Sequence, residues 1–137
     1  MKSIVLLFSL FLIGMTNLEE KLLVKVNGLS SQKGQLMVAI YDHAEHFPKH
    51  DNALKQLIVK ISSNAPSFYV TLPKNKKYAI AVYHDENTNR KLDKNFLGMP
   101  TEKYGFSNQA RGVFGPPSFA EAAFLFLGKS SVSIKIE

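Results

Sequence analysis

The sequence predicts an all-β fold, a single antiparallel β-sandwich with one long ordered loop insert and one short helix. Two observations support this prediction. Short segments alternate apolar and polar residues with a period of two, which is typical of strands with one face in a core. Connections rich in Gly, Ser, Asn and Pro separate these segments. With 137 residues, 45% of them hydrophobic, the chain is long enough for one domain with a substantial core.

Period-two alternation occurs in six segments. Their apolar positions are, in chain order, Leu22, Val24 and Val26; Leu36, Val38 and Ile40; Leu57, Val59 and Ile61; Phe68, Val70 and Leu72; Tyr78, Ile80 and Val82; and Val132, Ile134 and Ile136. The second segment, "GQLMVAIYD", is apolar on its other face too, as expected of a strand covered on both sides. We therefore expect Leu36, Val38, Ile40, Ile80 and Val82 in the core.

One segment near the end, "PPSFAEAAFLFLG", does not alternate. Ser118 is followed three residues later by Glu121, which is the spacing of a capping box. The alanines between and after them favour a helix. We expect one short helix leading into a strand-like "FLFL".

The first residues have the composition of a signal peptide. Lys2 precedes an apolar run from Ile4 to Ile13, which is shorter than the ~20 residues that a membrane-spanning helix needs. A basic start with a short apolar run is the pattern of a secretory signal, and an uncleaved anchor is the alternative. We predict a signal peptide at 1–16 and a sandwich domain at 17–137. The mature chain, without a transmembrane segment, would be secreted or periplasmic.

The composition excludes several kinds of functional site. Cysteine is absent, so disulfides, thiolate metal sites and cysteine nucleophiles are excluded. The formal charge is +6, but the lysines are scattered, so we interpret it as solubility and expect no nucleic-acid partner.

A long polar insert runs from Asp85 to Pro117, where alternation stops for roughly thirty residues, a length that is uncommon unless the loop is functional or disordered. Seven large side chains of the insert are expected to need burial: Phe96, Leu97, Met99, Tyr104, Phe106, Val113 and Phe114. We therefore expect an ordered loop packed over one end of the sandwich.

Oxygen-bearing side chains in "DENTNRKLD" follow an EF-hand-like spacing. Asp85, Asn87 and Asn89 stand at loop positions 1, 3 and 5, the Lys91 carbonyl at 7 and Asp93 at 9. Hard cations take such oxygen ligands. This spacing predicts a structural calcium site with these five residues as ligands.

Two features of the EF-hand loop are missing. Position 6 is Arg90 rather than Gly, and position 12 is Phe96 rather than the bidentate Glu. Glu102, or alternatively Glu86, is the candidate for the missing carboxylate. The alternative to calcium is a polar loop in which Asn and Asp side chains bond their own backbone.

Histidines suggest a second kind of metal site. His43, His46 and His50 lie close together in sequence, and His84 ends another strand. Imidazole suits zinc or copper. Exposed loop histidines without a metal are the simpler interpretation.

An enzyme is the alternative from another class. A small hydrolase-like enzyme would use His84 with the acidic residues of the same loop, Asp85, Glu86 and Glu102, as an acid–base pair. Nothing in the chain resembles a nucleophile elbow, a phosphate loop or a metalloprotease helix. We therefore assign no catalytic residue.

Aromatic residues of the insert are candidates for ligand binding. Tyr104, Phe106 and Phe114, with His84 beside them, would bind a glycan or a peptide if their rings were exposed. Burial in the core is the alternative. On this basis the chain is predicted to be an exported binding or structural module.

The segment "YAIAVYHDENTNRKLDKNFLGMPTEKYGFSN", followed by "GPPSFAEAAF", resembles an exported bacterial family known as domain of unknown function 2141. The resemblance covers nearly the whole mature chain and rests on "HDEN", "LD", "LG-P-E-YGFSN" and "PPSF-A-F" in that order. It implies the sandwich fold and export, and no established chemistry. Members usually carry Gly where this chain has Thr88 and Arg90.

Overall fold

The computed structural model describes residues 18–137, so the predicted signal peptide at 1–16 lies outside the described residues. The strands are β1 (Glu19–Asn27), β2 (Gln35–Tyr41), β3 (Lys55–Lys60), β4 (Ser67–Pro73), β5 (Lys76–Asp85), β6 (Tyr104–Phe106), β7 (Phe124–Phe126) and β8 (Ser130–Lys135). One α-helix, α1, spans Phe119–Ala122, and short 3₁₀ turns lie at His50–Asn52 and Ser107–Gln109.

The strands form two sheets, which confirms the predicted all-β sandwich. One sheet has the order β4-β1-β8, and the other has the order β3-β2-β5-β6, with β7 paired to the start of β5. All pairs are antiparallel except β1–β8, which is parallel. Beyond β8, Glu137 exchanges two backbone hydrogen bonds with Tyr104, which tie the sheets together on one side.

The main core lies between the sheets and contains the alternating residues that the sequence predicts. Leu36, Val38, Ile40, Ile80 and Val82 are all at most 2% exposed, which confirms their predicted burial. They pack against the inward faces of β1, β4 and β8.

A second, smaller cluster lies on the other face of the five-stranded sheet that contains β2 and β5. Ala39 and Tyr41 of β2 pack there with Phe47, Phe106 and Ala122. β2 is therefore covered on both faces, as its uninterrupted apolar sequence predicts.

Helix α1 begins as predicted. The Ser118 hydroxyl accepts the backbone N–H of Glu121, and the Glu121 carboxylate accepts the backbone N–H of Ser118 at 2.7 Å. This capping box satisfies two N–H groups that the first turn leaves without partners. The helix then leads into β7, as expected.

The insert differs from the prediction in two respects. Residues Tyr104–Phe106 form a strand on the edge of β5, with Phe106 buried and Tyr104 half-buried. The other apolar side chains of the insert are exposed, so their predicted burial is wrong: Phe96, Leu97, Met99, Val113 and Phe114. The turn that carries Phe96, Leu97 and Met99 is held by hydrogen bonds with Asn95, so its order does not require burial of these side chains. Within residues 18–137, no helix has the length and apolar character needed to cross a bilayer.

Candidate functional site

Asp85, at the end of β5, is the residue around which the polar loop folds. It is fully buried, and its carboxylate accepts the backbone N–H groups of Asn89 at 3.1 Å and Arg90 at 2.9 Å. Gln35 of β2 donates to it from the side at 2.8 Å. Because a buried carboxylate needs such donors, the loop must turn back over the strand end.

This turn requires an unusual backbone conformation at two residues. Thr88 and Arg90 have φ of 58° and 62°, in the left-handed region that favours glycine. These are the two positions at which the family resemblance leads one to expect Gly. The chain therefore keeps the glycine conformation there without the glycine.

Asn87, Asn89 and Asp93 bond to one another inside the loop. Both amide groups donate to the Asp93 carboxylate, at 2.6 and 2.7 Å. Their amide oxygens accept the backbone N–H groups of Asn89, at 3.2 Å, and of Lys91, at 2.9 Å. This is the self-bonded arrangement that the sequence left open as the alternative to calcium.

Glu102 lies against the same loop, as its proposed role requires. Its two oxygens accept the backbone N–H groups of Glu86 at 3.3 Å and Asp93 at 3.0 Å. Burial, followed by the charges of Asp93 and Asp85, raises the pKa of Glu102 above its ordinary value. Burial and the same charges, with that of Glu102, raise the pKa of Tyr83 to about 12. The three carboxylates are therefore close enough to repel one another.

This repulsion is not relieved by a basic side chain. In the part of the chain that the structure describes, no Lys or Arg forms an ion pair with Asp85, Asp93 or Glu102. A cation would therefore find local negative charge here.

The ligand geometry sets a condition on cation binding. Among residues 18–137, no group of three or more His, Cys, Asp or Glu side chains is arranged to hold a metal ion. A calcium site would therefore need the amide oxygens of Asn87 and Asn89 and the Lys91 carbonyl besides the carboxylates. Because the two amides direct their nitrogens at Asp93, both would have to rotate. Calcium binding stays a prediction.

The four histidines do not form one cluster in the described part of the chain. His43 and His46 lie side by side, with ring centres 5.6 Å apart, and His43 contacts Asp42 at 2.8 Å. His84 is buried in β5, where its Nε2 donates to the Lys33 carbonyl at 2.7 Å. The described residues therefore hold no histidine cluster of the kind that zinc or copper requires.

The position of His84 also bears on the enzyme alternative. The side chains of His84 and Asp85 are successive residues of a strand, so they point to opposite faces of the sheet. The Nδ1 atom of His84 lies 3.8 Å from Glu86, and the ring has no contact with solvent. The two residues therefore do not face one shared space in which a substrate would react.

A cleft of about 610 Å³ lies on the outer face of the five-stranded sheet, beneath the insert. Its floor is formed by β2, β5 and β6, and its walls by the 90–100 and 115–116 segments. Its lining includes the apolar and aromatic residues Met37, Ala39, Ala81, Tyr83, Tyr104 and Phe106 and the basic residues Arg90, Lys91 and Lys94. Three of them are cationic, and none of the described residues that line the cleft is acidic.

The cleft contains only some of the ligand-binding residues predicted from sequence. Tyr104 and Phe106 line it, whereas His84 and Phe114 do not. The sequence did not indicate that Arg90 and Lys94 line a cleft. A lysine or arginine in a polar loop gives no local indication of the surface on which its side chain lies. The other depression of note, on the outer face of β1 and β4, is lined by side chains of both charges, so it selects no ligand charge.

The fold and the cleft define a class, a small β-sandwich module with a loop-built surface over one sheet. Residues 24–135 match the family described as an uncharacterized protein conserved in bacteria (DUF2141), and the chain belongs to this family. The resemblance drawn from the sequence is thereby confirmed. Comparisons with curated proteins and with solved structures found no match.

Proposed function

We propose that the chain is an exported, non-catalytic binding module, and that the cleft takes a ligand in which an apolar ring carries an anionic group, such as an acidic sugar. The observation that carries this proposal is the cleft lining, an apolar and aromatic floor beneath three cations without an acidic neighbour in the lining. Ligand sites combine apolar walls with a few placed polar groups in this way.

The shape of the floor follows from strand register. Met37 of β2 lies opposite Tyr83 of β5, which lies opposite Tyr104 of β6. The next row along the sheet places Ala39 opposite Ala81, which lies opposite Phe106 of β6. The two alanines lie among larger side chains and leave a depression bordered by aromatic rings, which suits stacking against a sugar or another ring.

The polar loop places the cations of the wall. Arg90 and Lys91 are both tied through their backbone N–H groups, Arg90 to Asp85 and Lys91 to Asn89. Neither side chain forms an ion pair within the described chain. The buried carboxylate network therefore supports the proposal indirectly, because it holds two free positive charges at the cleft.

An anionic aromatic dye tests the site before the natural ligand is known. We expect anilinonaphthalene sulfonate to bind and fluoresce, and the double variant Lys91→Glu with Lys94→Glu to weaken binding about tenfold or more, a loss typical of charge reversal at a contact. The uncharged analogue phenylnaphthylamine should be little affected. Ala81→Leu, which fills the floor, should weaken both dyes.

The matched control is Lys25→Glu with Lys60→Glu, two exposed lysines on strands outside the cleft. Equal loss in the control, or no loss with Ala81→Leu, would contradict the cleft as the site. Acidic glycans and acidic peptides are then compared as competitors of the dye. Displacement by peptides alone would replace the sugar with a peptide ligand.

Export is part of the proposal and rests on the sequence of residues 1–16. We expect protein recovered from the periplasm or medium to begin near Asn17. N-terminal sequencing measures this directly, and finding only full-length chain in the cytoplasm would refute it.

A structural calcium site in the same loop is the second candidate function. It is supported by the three carboxylates without a basic partner and by the raised pKa of Glu102. Extracellular sites of this kind have Kd of ~10⁻⁴–10⁻³ M. At ten times Kd, binding adds about 1.4 kcal/mol of stability, which raises the melting temperature by a few degrees.

Two variants separate calcium from a general ionic effect. Asp93→Asn with Glu102→Gln should abolish the calcium-dependent rise in melting temperature, while Asp51→Asn, at a fully exposed carboxylate, should preserve it. Magnesium should act much more weakly, because it demands stricter octahedral geometry. If the wild-type protein shows no shift and elemental analysis finds no metal, the loop is only self-bonded.

A further inference from the structure

Two short turns of the insert present apolar side chains to solvent. We call them the 94–100 turn and the 111–117 turn. Their exposed side chains are Phe96 at 96%, Leu97 at 70%, Met99 at 61%, Val113 at 88% and Phe114 at 103%. They are five of the eleven large exposed hydrophobic residues in the described chain. Soluble proteins scatter such residues singly, and a concentration of them marks an interaction site.

The 94–100 turn is built to hold this arrangement. The Asn95 side chain accepts the backbone N–H groups of Leu97 and Met99, both at 3.0 Å. The Asn95 backbone bonds with Met99 and Gly98, both at 2.9 Å, and Gly98 adopts φ of 79°. The hydrogen-bonded turn therefore holds Phe96, Leu97 and Met99 in exposed positions.

The two turns border the same cleft. Lys94, Gly98 and Pro100 line one wall, and Gly115 and Pro116 line another. Arg90 and Lys91 lie in the same region. One side of the molecule therefore combines protruding apolar tips with a group of cations.

We propose that this side docks on an anionic lipid surface, with the two turns inserted at the boundary between headgroups and acyl chains. Side chains as exposed as Phe96 and Phe114 stand clear of the protein body. A protein partner would need a fitted pocket for each, whereas lipids close around any protruding shape. The neighbouring cations are complementary to anionic headgroups. The inference does not depend on what the cleft binds.

Because the chain has no tryptophan, a Phe114→Trp variant carries a single reporter at one tip. We expect its emission to shift to the blue with phosphatidylglycerol vesicles and much less with phosphatidylcholine vesicles. A Tyr69→Trp variant, at an exposed position on β4 away from the cleft, should not shift. This local signal is separate from any binding by the apolar 4–13 segment.

Substitutions test both parts of the docking surface in vesicle sedimentation. Phe96→Ser with Phe114→Ser should lower partitioning about tenfold or more, since each buried phenylalanine contributes strongly to membrane affinity. Lys91→Glu with Lys94→Glu should remove the preference for anionic lipid. The control, Tyr69→Ser with Leu127→Ser, changes two exposed apolar residues elsewhere and should keep binding.

Three results would overturn the proposal. The first is an unshifted Phe114→Trp spectrum with phosphatidylglycerol vesicles. The second is equal loss of binding in the test and control variants. The third is a dimer in sedimentation equilibrium that dissociates in the variant Phe96→Ser with Phe114→Ser. A second copy of the chain would then cover the turns. All these positions are exposed, so unchanged melting temperatures should show that the variants are folded.

Discussion

The interior of the sandwich and the insert from Asp85 to Pro117 are ordered by different forces. In the interior, apolar side chains such as Ile80 are packed between the two sheets and removed from water. In the insert, Asp85, Asn87 and Asn95 bind backbone N–H groups, while Phe96 and Phe114 remain exposed. The comparison teaches that an ordered segment need not bury its apolar residues when polar side chains satisfy its backbone.

The difference also separates the main source of stability from the surfaces proposed above to bind a partner. Burial between the sheets stabilises the fold and leaves little freedom for variation. The insert uses hydrogen bonds to place cations and apolar tips on the surface, where they are available to a partner. Four substitutions test this division.

The largest effect is expected in the interior. Ile80→Ala removes a fully buried side chain and should lower the free energy of unfolding by about 2–5 kcal/mol. Urea denaturation measures the loss. Ile58→Ala, at an exposed position on β3, is the control and should change little; comparable losses would mean that the two-sheet core is not the main source of stability.

A smaller effect is expected at the base of the insert. Asp85→Ala removes the acceptor from three partly buried hydrogen bonds, which should cost about 1–3 kcal/mol. The Asn89 N–H keeps a second acceptor in the Asn87 side chain. Hydrogen exchange of the Asn89 and Arg90 amides should accelerate, while that of Ile80 should change only with global stability. Unchanged exchange at Asn89 and Arg90 would contradict the role given to Asp85.

Relief of backbone strain should give a small gain. Arg90→Gly puts glycine where φ is 62°, and we expect a stability gain of about 0.5–1 kcal/mol after the entropy that glycine loses on folding. Arg111→Gly, a loop position without positive φ, is the comparison and should not stabilise. If Arg90→Gly destabilises the protein, the side chain has a packing role that outweighs the strain.

The fourth prediction concerns alkaline pH. The folded pKa of Tyr83, about 12, lies above its ordinary value of 10.0, chiefly through burial and then through the charges of Asp85, Glu102 and Asp93. Because the folded state favours the neutral phenol, this contribution to stability is complete below pH 10.0 and is lost as the pH rises through the folded pKa.

Glu102→Gln removes one of those charges and should lower the pKa of Tyr83, as measured by ultraviolet titration of tyrosinate. The loss of stability should then begin at lower pH. Glu45→Gln, at an exposed carboxylate that is not among the charges acting on Tyr83, is the control. An unchanged Tyr83 titration in Glu102→Gln would place Glu102 farther from the ring than the structure does.

Much of the fold was predictable because strand periodicity is a local property. The alternation of Leu36, Val38 and Ile40 identifies β2 and its inward face, and the Ser118–Glu121 spacing identifies the start of α1. The parallel pairing of β1 with β8 was not predictable, since it joins the two ends of the domain and no local pattern records it. The short strand Tyr104–Phe106 was missed for a related reason, because three residues are too few to show a period.

The sequence by itself determined the family, the longer strands, their buried faces and the positions of the polar loop's oxygens. Only the tertiary structure decided that Asp85 is buried while Phe114 is exposed, the reverse of what their side-chain polarity suggests. The physical reason is that the burial of a loop residue depends on which backbone donors the fold brings to it. Asp85 sits where Gln35, Asn89 and Arg90 converge, whereas nothing in the described chain closes over Phe114.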